Sequence, residues 1–181
     1  RSKRDAISEH LHKFNLIRQS QHGFMSHKSC LTNLLEFLEF VSKHVDNGVP
    51  VDVIYLDFKK AFDRVPHGRL LSKIKALGIN GLVAQWISNW LVDRQQRVVN
   101  NRKFSKWSDV LSGVPQGSVL GPILFIIYIN DIDLNINGRI LKFADDTKLF
   151  HHVSTAEDIT RLRNDLHKLC QWSEDWLMLF N

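Results

Sequence analysis

Downstream of Ser29 the apolar residues Leu31, Leu34, Leu35, Leu38, Val41 and Val45 recur at helical spacing, and Asp46-Asn47-Gly48 then offers a turn. The pattern predicts a helix that lays this stripe on a core. The period then changes. Val51-Asp52-Val53-Ile54-Tyr55-Leu56-Asp57 is apolar and β-rich enough for a central strand, which Asp57 ends. Pro66 suits the first turn of a helix with the stripe Leu70, Leu71, Ile74 and Leu77 and with Gly78 as its C-terminal cap. After Asn80 a second helix carries Val83, Trp86, Ile87, Trp90 and Leu91 on one face. Two strand-like pieces joined near Asn100-Asn101 follow, and basic residues gather in them.

Ser112-Gly113-Val114-Pro115-Gln116-Gly117-Ser118 reads as a Gly/Pro loop that leads into an apolar helix from about Val119 to Ile132. A hairpin is expected after Gly138, with strands Arg139 to Ala144 and Thr147 to Val153 and Asp145-Asp146 at its tip. Thr155 and Asp158 stand at the spacing of a capping box, and Ile159, Leu162, Leu166, Leu169, Trp172 and Trp176 mark a last helix. Strands and helices mix without βαβ repetition, which favours an α+β fold.

The 181 residues fit one domain, or the core of something larger, and a 44% hydrophobic content supports a buried interior. Lys and Arg outnumber Asp and Glu by 24 to 19, a balance compatible with a polyanionic partner and equally with an ordinary basic enzyme. Cys30 and Cys170 lie far apart without metal-ligand spacing, so both are expected to be reduced and buried. The chain opens Arg1-Ser2-Lys3-Arg4, with neither an initiator Met nor an apolar targeting segment, the pattern of an unsecreted excerpt. Gly121 and Pro122 interrupt its longest apolar run, Val119 to Ile129, which falls short of the ~20 residues a membrane span requires.

Asp57 and the pair Asp145-Asp146 are the candidate chemistry. Singly, each reads as a strand terminator or a turn residue. Gathered at the end of one sheet, they would repel without cations and would suit a pair of Mg²⁺ ions. The glycines of the 113–117 loop permit close backbone approach to a phosphate or base, and Gln116 adds a neutral donor and acceptor; a plain connector fits the loop too. Phe62, five residues beyond Asp57, is either a core aromatic or a wall under a nucleotide sugar. His151-His152 would point to opposite faces of a strand and lack further ligand spacing. The helically spaced tryptophans at 86, 90, 172 and 176 read as core, whereas Trp107 lies beside Lys106 in the basic region.

Tyr-Leu-Asp-Phe-Lys-Lys-Ala-Phe-Asp at 55–63, Ser-Gly-Val-Pro-Gln-Gly-Ser-Val-Leu-Gly-Pro at 112–122 and Phe-Ala-Asp-Asp-Thr at 143–147 resemble, in order, motifs A, B and C of reverse transcriptases from non-LTR (LINE-like) retrotransposons. Gln21-His22-Gly23-Phe24, with Lys28-Ser29-Cys30-Leu31-Thr32-Asn33-Leu34-Leu35, is similar to the segment before motif A in the jockey and chicken-repeat groups. The resemblance covers nearly the whole chain. It implies a right-hand polymerase with fingers over 1–50, palm with motif A over 51–66, a fingers return with motif B over 67–118, palm with motif C over 119–181, and no thumb.

By the same resemblance Asp57 and Asp145 would bind two Mg²⁺ ions, with Mn²⁺ as a substitute, and Asp146 would support them. Lys60, Ala61, Phe62, Gln116 and Gly117 would meet the nucleotide, Phe62 as the deoxyribose gate. Lys28 would stand where the family often has a finger Arg, and Arg94, Arg97, Arg102, Lys103 and Lys106 would face nucleic acid. The implied partners are an RNA template, a DNA primer and dNTPs, with no membrane, in nucleus and cytoplasm. RNA-dependent RNA polymerases carry an Asp where this chain has Phe62, a departure that favours DNA synthesis. The rival readings are a decayed, inactive relic and a co-opted RNA-binding module.

Overall fold

In the computed structural model, residues 3–181 are described; Arg1 and Ser2, part of the basic opening and of the expected 1–50 segment, lie outside them. Helix α1 (Lys3–Lys13) precedes α2 (Cys30–Val45), and strand β1 (Val51–Leu56) leads to the short α3 (Ala61–Arg64). Helices α4 (His67–Ala76) and α5 (Gly81–Leu91) come next, followed by four two-residue strands: β2 (Gln95–Gln96), β3 (Val99–Asn100), β4 (Lys103–Phe104) and β5 (Ser108–Asp109). Helix α6 (Gly121–Tyr128), the hairpin of β6 (Arg139–Phe143) and β7 (Asp146–His152), and the long α7 (Ala156–Asp175) complete the fold.

The main sheet has the order β1-β7-β6 and is antiparallel throughout. Val51 pairs with His152 and Leu56 with Thr147, so the C-terminal end of β1 lies beside the start of β7 and the tip of its hairpin. The small strands pair β2 with β5 and β3 with β4 into an exposed ribbon. Its inner turn, Asn101-Arg102, has positive φ at both residues, as a tight two-residue hairpin requires.

One face of the sheet meets α7 and the central core; α2 covers the other. Leu149 is fully buried in the core, while Phe150, its neighbour on the strand, meets the rings of Phe37 and Phe40 at 5.2 and 5.1 Å. That contact reverses the expected orientation of α2. Leu31, Leu34, Leu35, Leu38 and Val45 are exposed, and the helix docks instead through Asn33, Phe37 and Phe40. Two aromatic rings reaching Phe150, and the Asn33 amide that donates to the Lys142 carbonyl at 3.2 Å, outweigh the more regular leucine stripe. Ser29 and Thr32 cap the helix reciprocally, and Thr155 with Asp158 does the same for α7.

The apolar helix is shorter than its sequence suggested. Residues of α6 are buried all round, but the chain leaves the helix after Tyr128 because Asn130, Asp131 and Asp133 turn to polar partners. Lys73 of α4 enters this region. Its ammonium lies 3.6 Å from the centroid of the Trp176 ring, 4.8 Å from Tyr128 and 4.9 Å from Trp172, and bonds to the Tyr128 carbonyl and Asp131. Burial lowers its pKa to about 8 against the pull of Asp131. The cysteines also depart from expectation: Cys30 and Cys170 are free and exposed, because each falls on the outer side of an amphipathic helix.

Candidate active site

Register brings the carboxylates together. One step beyond the Leu56–Thr147 pair, Asp57 leaves β1 opposite the start of β7, where Asp146 pairs with Phe143. The loop of the hairpin is therefore Ala144-Asp145, one residue earlier than the expected Asp145-Asp146 tip. Asp145 is half-buried, and its pKa is raised by burial and further by the nearby charges of Asp146 and Asp57.

Asp57 is exposed and held differently. The Phe58 ring is buried and stacks on Phe180 at 4.8 Å, while Lys59 N–H donates to the Leu179 carbonyl at 2.9 Å. The chain end thus runs antiparallel beside motif A. Asn181 N–H donates to the Asp57 carbonyl at 2.9 Å, and its side-chain amide donates to the Asp57 carboxylate at 2.5 Å. A cleft of about 460 Å³ lies here, lined by Asp57, Asp146, Tyr55, Leu34, Cys30 and Lys148.

The donor set is of hard carboxylate oxygens, which suits Mg²⁺, and a cation would offset the charges of Asp146 and Asp57 that add to the effect of burial on Asp145. Among the described residues no three His, Cys, Asp or Glu side chains converge on a single ion position. An open site of this kind fits an ion that takes one or two protein carboxylates and completes its shell with water and substrate phosphate.

Motif B is stapled to motif A. Val114 N–H donates to the Phe62 carbonyl and Gly113 N–H to that of Val65, both at 2.8 Å, and the Ser112 hydroxyl donates to Asp63 O at the same distance. Gly113 has φ +89°, and a Cβ there would lie 2.7 Å from the Asp63 carbonyl oxygen, so only glycine allows the approach. Gln116 and Gly117 stand exposed beyond this staple. A cavity of about 790 Å³ borders the loop and is lined by Lys60, Asp63, Arg64, Gln95, Val114 and Gln116, among others. Phe62 is half-buried, its ring stacked on Phe125 at 4.5 Å and 17°, while Ala61 is buried and Lys60 exposed in a left-handed conformation.

The basic candidates divide into two groups. Arg94 is committed to the protein: it donates to the Gly113 carbonyl at 2.7 Å and to Leu91 O at 2.9 Å, beside His67, and burial lowers its pKa. The Lys28 ammonium donates to the Gln19 carbonyl, and burial lowers its pKa as well. Arg97, Arg102, Lys103 and Lys106 are exposed on the ribbon. The Arg97 guanidinium lies between the Phe104 and Trp107 rings, 4.3 and 4.5 Å from their centroids.

Sequence reasoning passed over the supports beneath the hairpin. Lys142, inside β6, is fully buried and lies 3.4 Å from Asp133, which also binds Arg18 at 2.6 Å and accepts from the Ser20 hydroxyl. Burial lowers the Lys142 pKa to about 8 even with Asp133 opposing it. A lysine within a core strand pattern is the signal that could have exposed this network.

The sequence profile of the reverse transcriptase (RNA-dependent DNA polymerase) family matches residues 1–181. The probable RNA-directed DNA polymerase from transposon BS of Drosophila melanogaster is 26% identical over 92% of the chain, and that from mobile element jockey of the same fly is 29% identical over 91%. The chain spans 19% of the length of each. Telomerase from Candida albicans, solved in complex with a fragment of telomeric RNA, superimposes with a TM-score of 0.70 at 14% identity, over 99% of this chain and 34% of that one. This likeness establishes the fold. No helix among the described residues is long and apolar enough to cross a membrane.

Proposed function

The chain belongs to the reverse transcriptase family, and from that premise we propose that it forms the nucleotidyl-transfer core of a non-LTR retrotransposon RNA-directed DNA polymerase. The observation that carries this reading is the antiparallel register, which brings Asp57 to the same end of the sheet as Asp145 and Asp146. Residues 51–66 and 119–181 serve as palm, and 1–50 and 67–118 as fingers. The partners are an RNA template, a DNA primer and dNTPs, and the setting is that of a retrotransposon protein, in cytoplasm and nucleus.

Asp57 and Asp145 hold two Mg²⁺ ions, with Mn²⁺ as a substitute, and Asp146 adds charge beside them. When bound, such ions activate the primer 3′-hydroxyl and neutralise charge on the leaving pyrophosphate. The 3′-oxygen forms a bond to the α-phosphorus of the dNTP while the bond to the pyrophosphate oxygen breaks, and the hydroxyl proton passes to water. Lys60 and the backbone at Ala61 meet the triphosphate. Gln116 and Gly117, exposed beyond the motif A–motif B staple, contact the nucleotide and template. Phe62, braced by Phe125, presents a wall to the sugar and excludes a 2′-hydroxyl. The chain's contribution is alignment and preorganised charge. On the ribbon, Arg97, Arg102, Lys103 and Lys106 track template phosphates, and Arg94 and Lys28 act indirectly by bracing the loops they hold.

The test is primer extension on an RNA template with dNTPs and Mg²⁺, using this chain alone and joined to the downstream part of a fly relative. The joined form is expected to synthesise DNA and to lose that activity with Asp145→Ala, and Phe62→Ala should admit ribonucleotides. Folded protein that makes no DNA in either form would overturn the polymerase reading in favour of an RNA-binding module. Unchanged sugar selectivity in Phe62→Ala would remove the gate assignment alone.

A further inference from the structure

A two-residue hairpin loop with positive φ at its first position alone favours glycine there. This chain has Ala144 at that position, with φ +55°, and Asp145 follows it directly. The left-handed conformation is unfavourable for a residue bearing a Cβ, so the turn requires support from outside the hairpin.

Gln21 supplies it. Its side chain is buried, with 1% of the residue exposed, and its Oε1 accepts from Ala144 N–H at 3.0 Å and from Gly23 N–H at 2.7 Å. Its Nε2 donates to the Ala144 carbonyl at 3.4 Å. One amide therefore meets both the N–H and the C=O of the strained residue. The segment bearing it is pinned to β6 in parallel: His22 N–H donates to Lys142 O and Lys142 N–H to Ser20 O, each at 2.8 Å. Close contact with the turn also constrains Gly23, where a Cβ would stand 2.3 Å from the Ala144 nitrogen.

We propose that Gln21 is the positioning residue of the catalytic turn, gripping the Ala144 peptide through its side-chain amide and so setting the direction of the Asp145 carboxylate. The inference rests on the reading of Asp145 as a metal-binding carboxylate. Gln21 touches no reacting atom in this account. It fixes one backbone unit whose rotation would swing Asp145 away from Asp57, a support of the kind that orients a ligand from behind. Among the described residues, Gln21 is the side chain that bonds to the Ala144 backbone. An apolar residue of the same length would leave both of its polar groups without their partner.

The experiment uses the 181-residue chain with Mn²⁺ as the probe, titrated by electron paramagnetic resonance, and reads exchange of the Ala144 amide proton by NMR. In Gln21→Met the Ala144 amide should lose its protection, and Mn²⁺ affinity should fall about tenfold. Adding Ala144→Gly to Gln21→Met should recover most of that affinity, because glycine adopts the turn without a clamp, while the amide stays in fast exchange. A general packing defect would not be repaired in this way. Gln21→Asn, which keeps an amide but withdraws it by one methylene, should move both readouts in the same direction and serves if Gln21→Met does not fold. Mn²⁺ affinity within about twofold of the native chain in the folded variants, with Asp145→Ala abolishing binding, would overturn the role of Gln21 alone. If Asp145→Ala binds Mn²⁺ as the native chain does, the metal reading falls and the inference falls with it. Protection of Ala144 retained in Gln21→Met would show that the clamp does not exist.

Discussion

Lys142 and Arg97 carry the same charge, yet they belong to regions governed by opposite physics. Beneath the Ala144-Asp145 turn, Lys142 is fully buried, faces Asp133, and shares that carboxylate with Arg18. On the ribbon, Arg97 lies in the open between two exposed aromatic rings. A buried cation must be matched by fixed partners and therefore dictates geometry around it. An exposed one is already satisfied by water and remains available to a polyanion. The turn is fixed by partners within the fold, whereas the cations of the ribbon face solvent.

The contrast is broken most severely at Asp133. Asp133→Ala leaves the Lys142 ammonium without its carboxylate in a dry site and should cost about 3–5 kcal/mol by urea denaturation. The loss should shrink as pH rises, since an unpaired buried ammonium gives up its proton. A loss below about 1 kcal/mol at neutral pH would place Asp133 among ordinary surface ion pairs.

The native chain should show a related, smaller effect. Lys73 and Lys142 have folded pKa values of about 8 against 10.5 for a free lysine, so above pH 8 the folded chain has released protons that the unfolded chain still binds. Stability then rises with pH between about 8 and 10. Beyond that range the raised pKa of Tyr128, caused by burial, acts in the opposite direction, because the unfolded chain then releases a proton that the folded one keeps. Denaturation midpoints that decline steadily from pH 8 to 9.5 would contradict this account.

The smallest stability effect belongs to the ribbon. Arg97→Ala removes an exposed cation–π sandwich and should change stability by no more than about 1 kcal/mol. Its effect should appear in RNA affinity, with the log–log salt slope reduced by roughly 0.7 for one lost phosphate contact to a single strand. An unchanged slope, together with a large loss of stability, would show that the ribbon is structural and that the comparison with Lys142 is false.

Both ends of the candidate site were legible to different degrees. Asp57, Asp145 and Asp146 stood out because a strand pattern, a hairpin pattern and three acidic residues coincided. The capping residues of α7 were legible too, since a cap is a bond between neighbours in sequence. The face of α2 was not. Its leucines make the more regular stripe, but the sheet offers it Phe150 and the Lys142 carbonyl, and Phe37, Phe40 and Asn33 answer those partners. Arg94 and Lys28 were read as nucleic-acid contacts, whereas each spends donors on a carbonyl of a loop it supports.

By itself the sequence determined the α+β class, the motifs and their carboxylates, and the main helices and strands from α2 onward, though not α1 or α3, because propensity, period and motif spacing are written in local runs of residues. Only the tertiary structure decided what reaches across the chain: Gln21 on Ala144, Arg18 on Asp133, Asn181 on Asp57. These partners are separated by long stretches of chain, and a buried polar group takes its partner from whatever packing brings within hydrogen-bond reach. No periodicity records that choice.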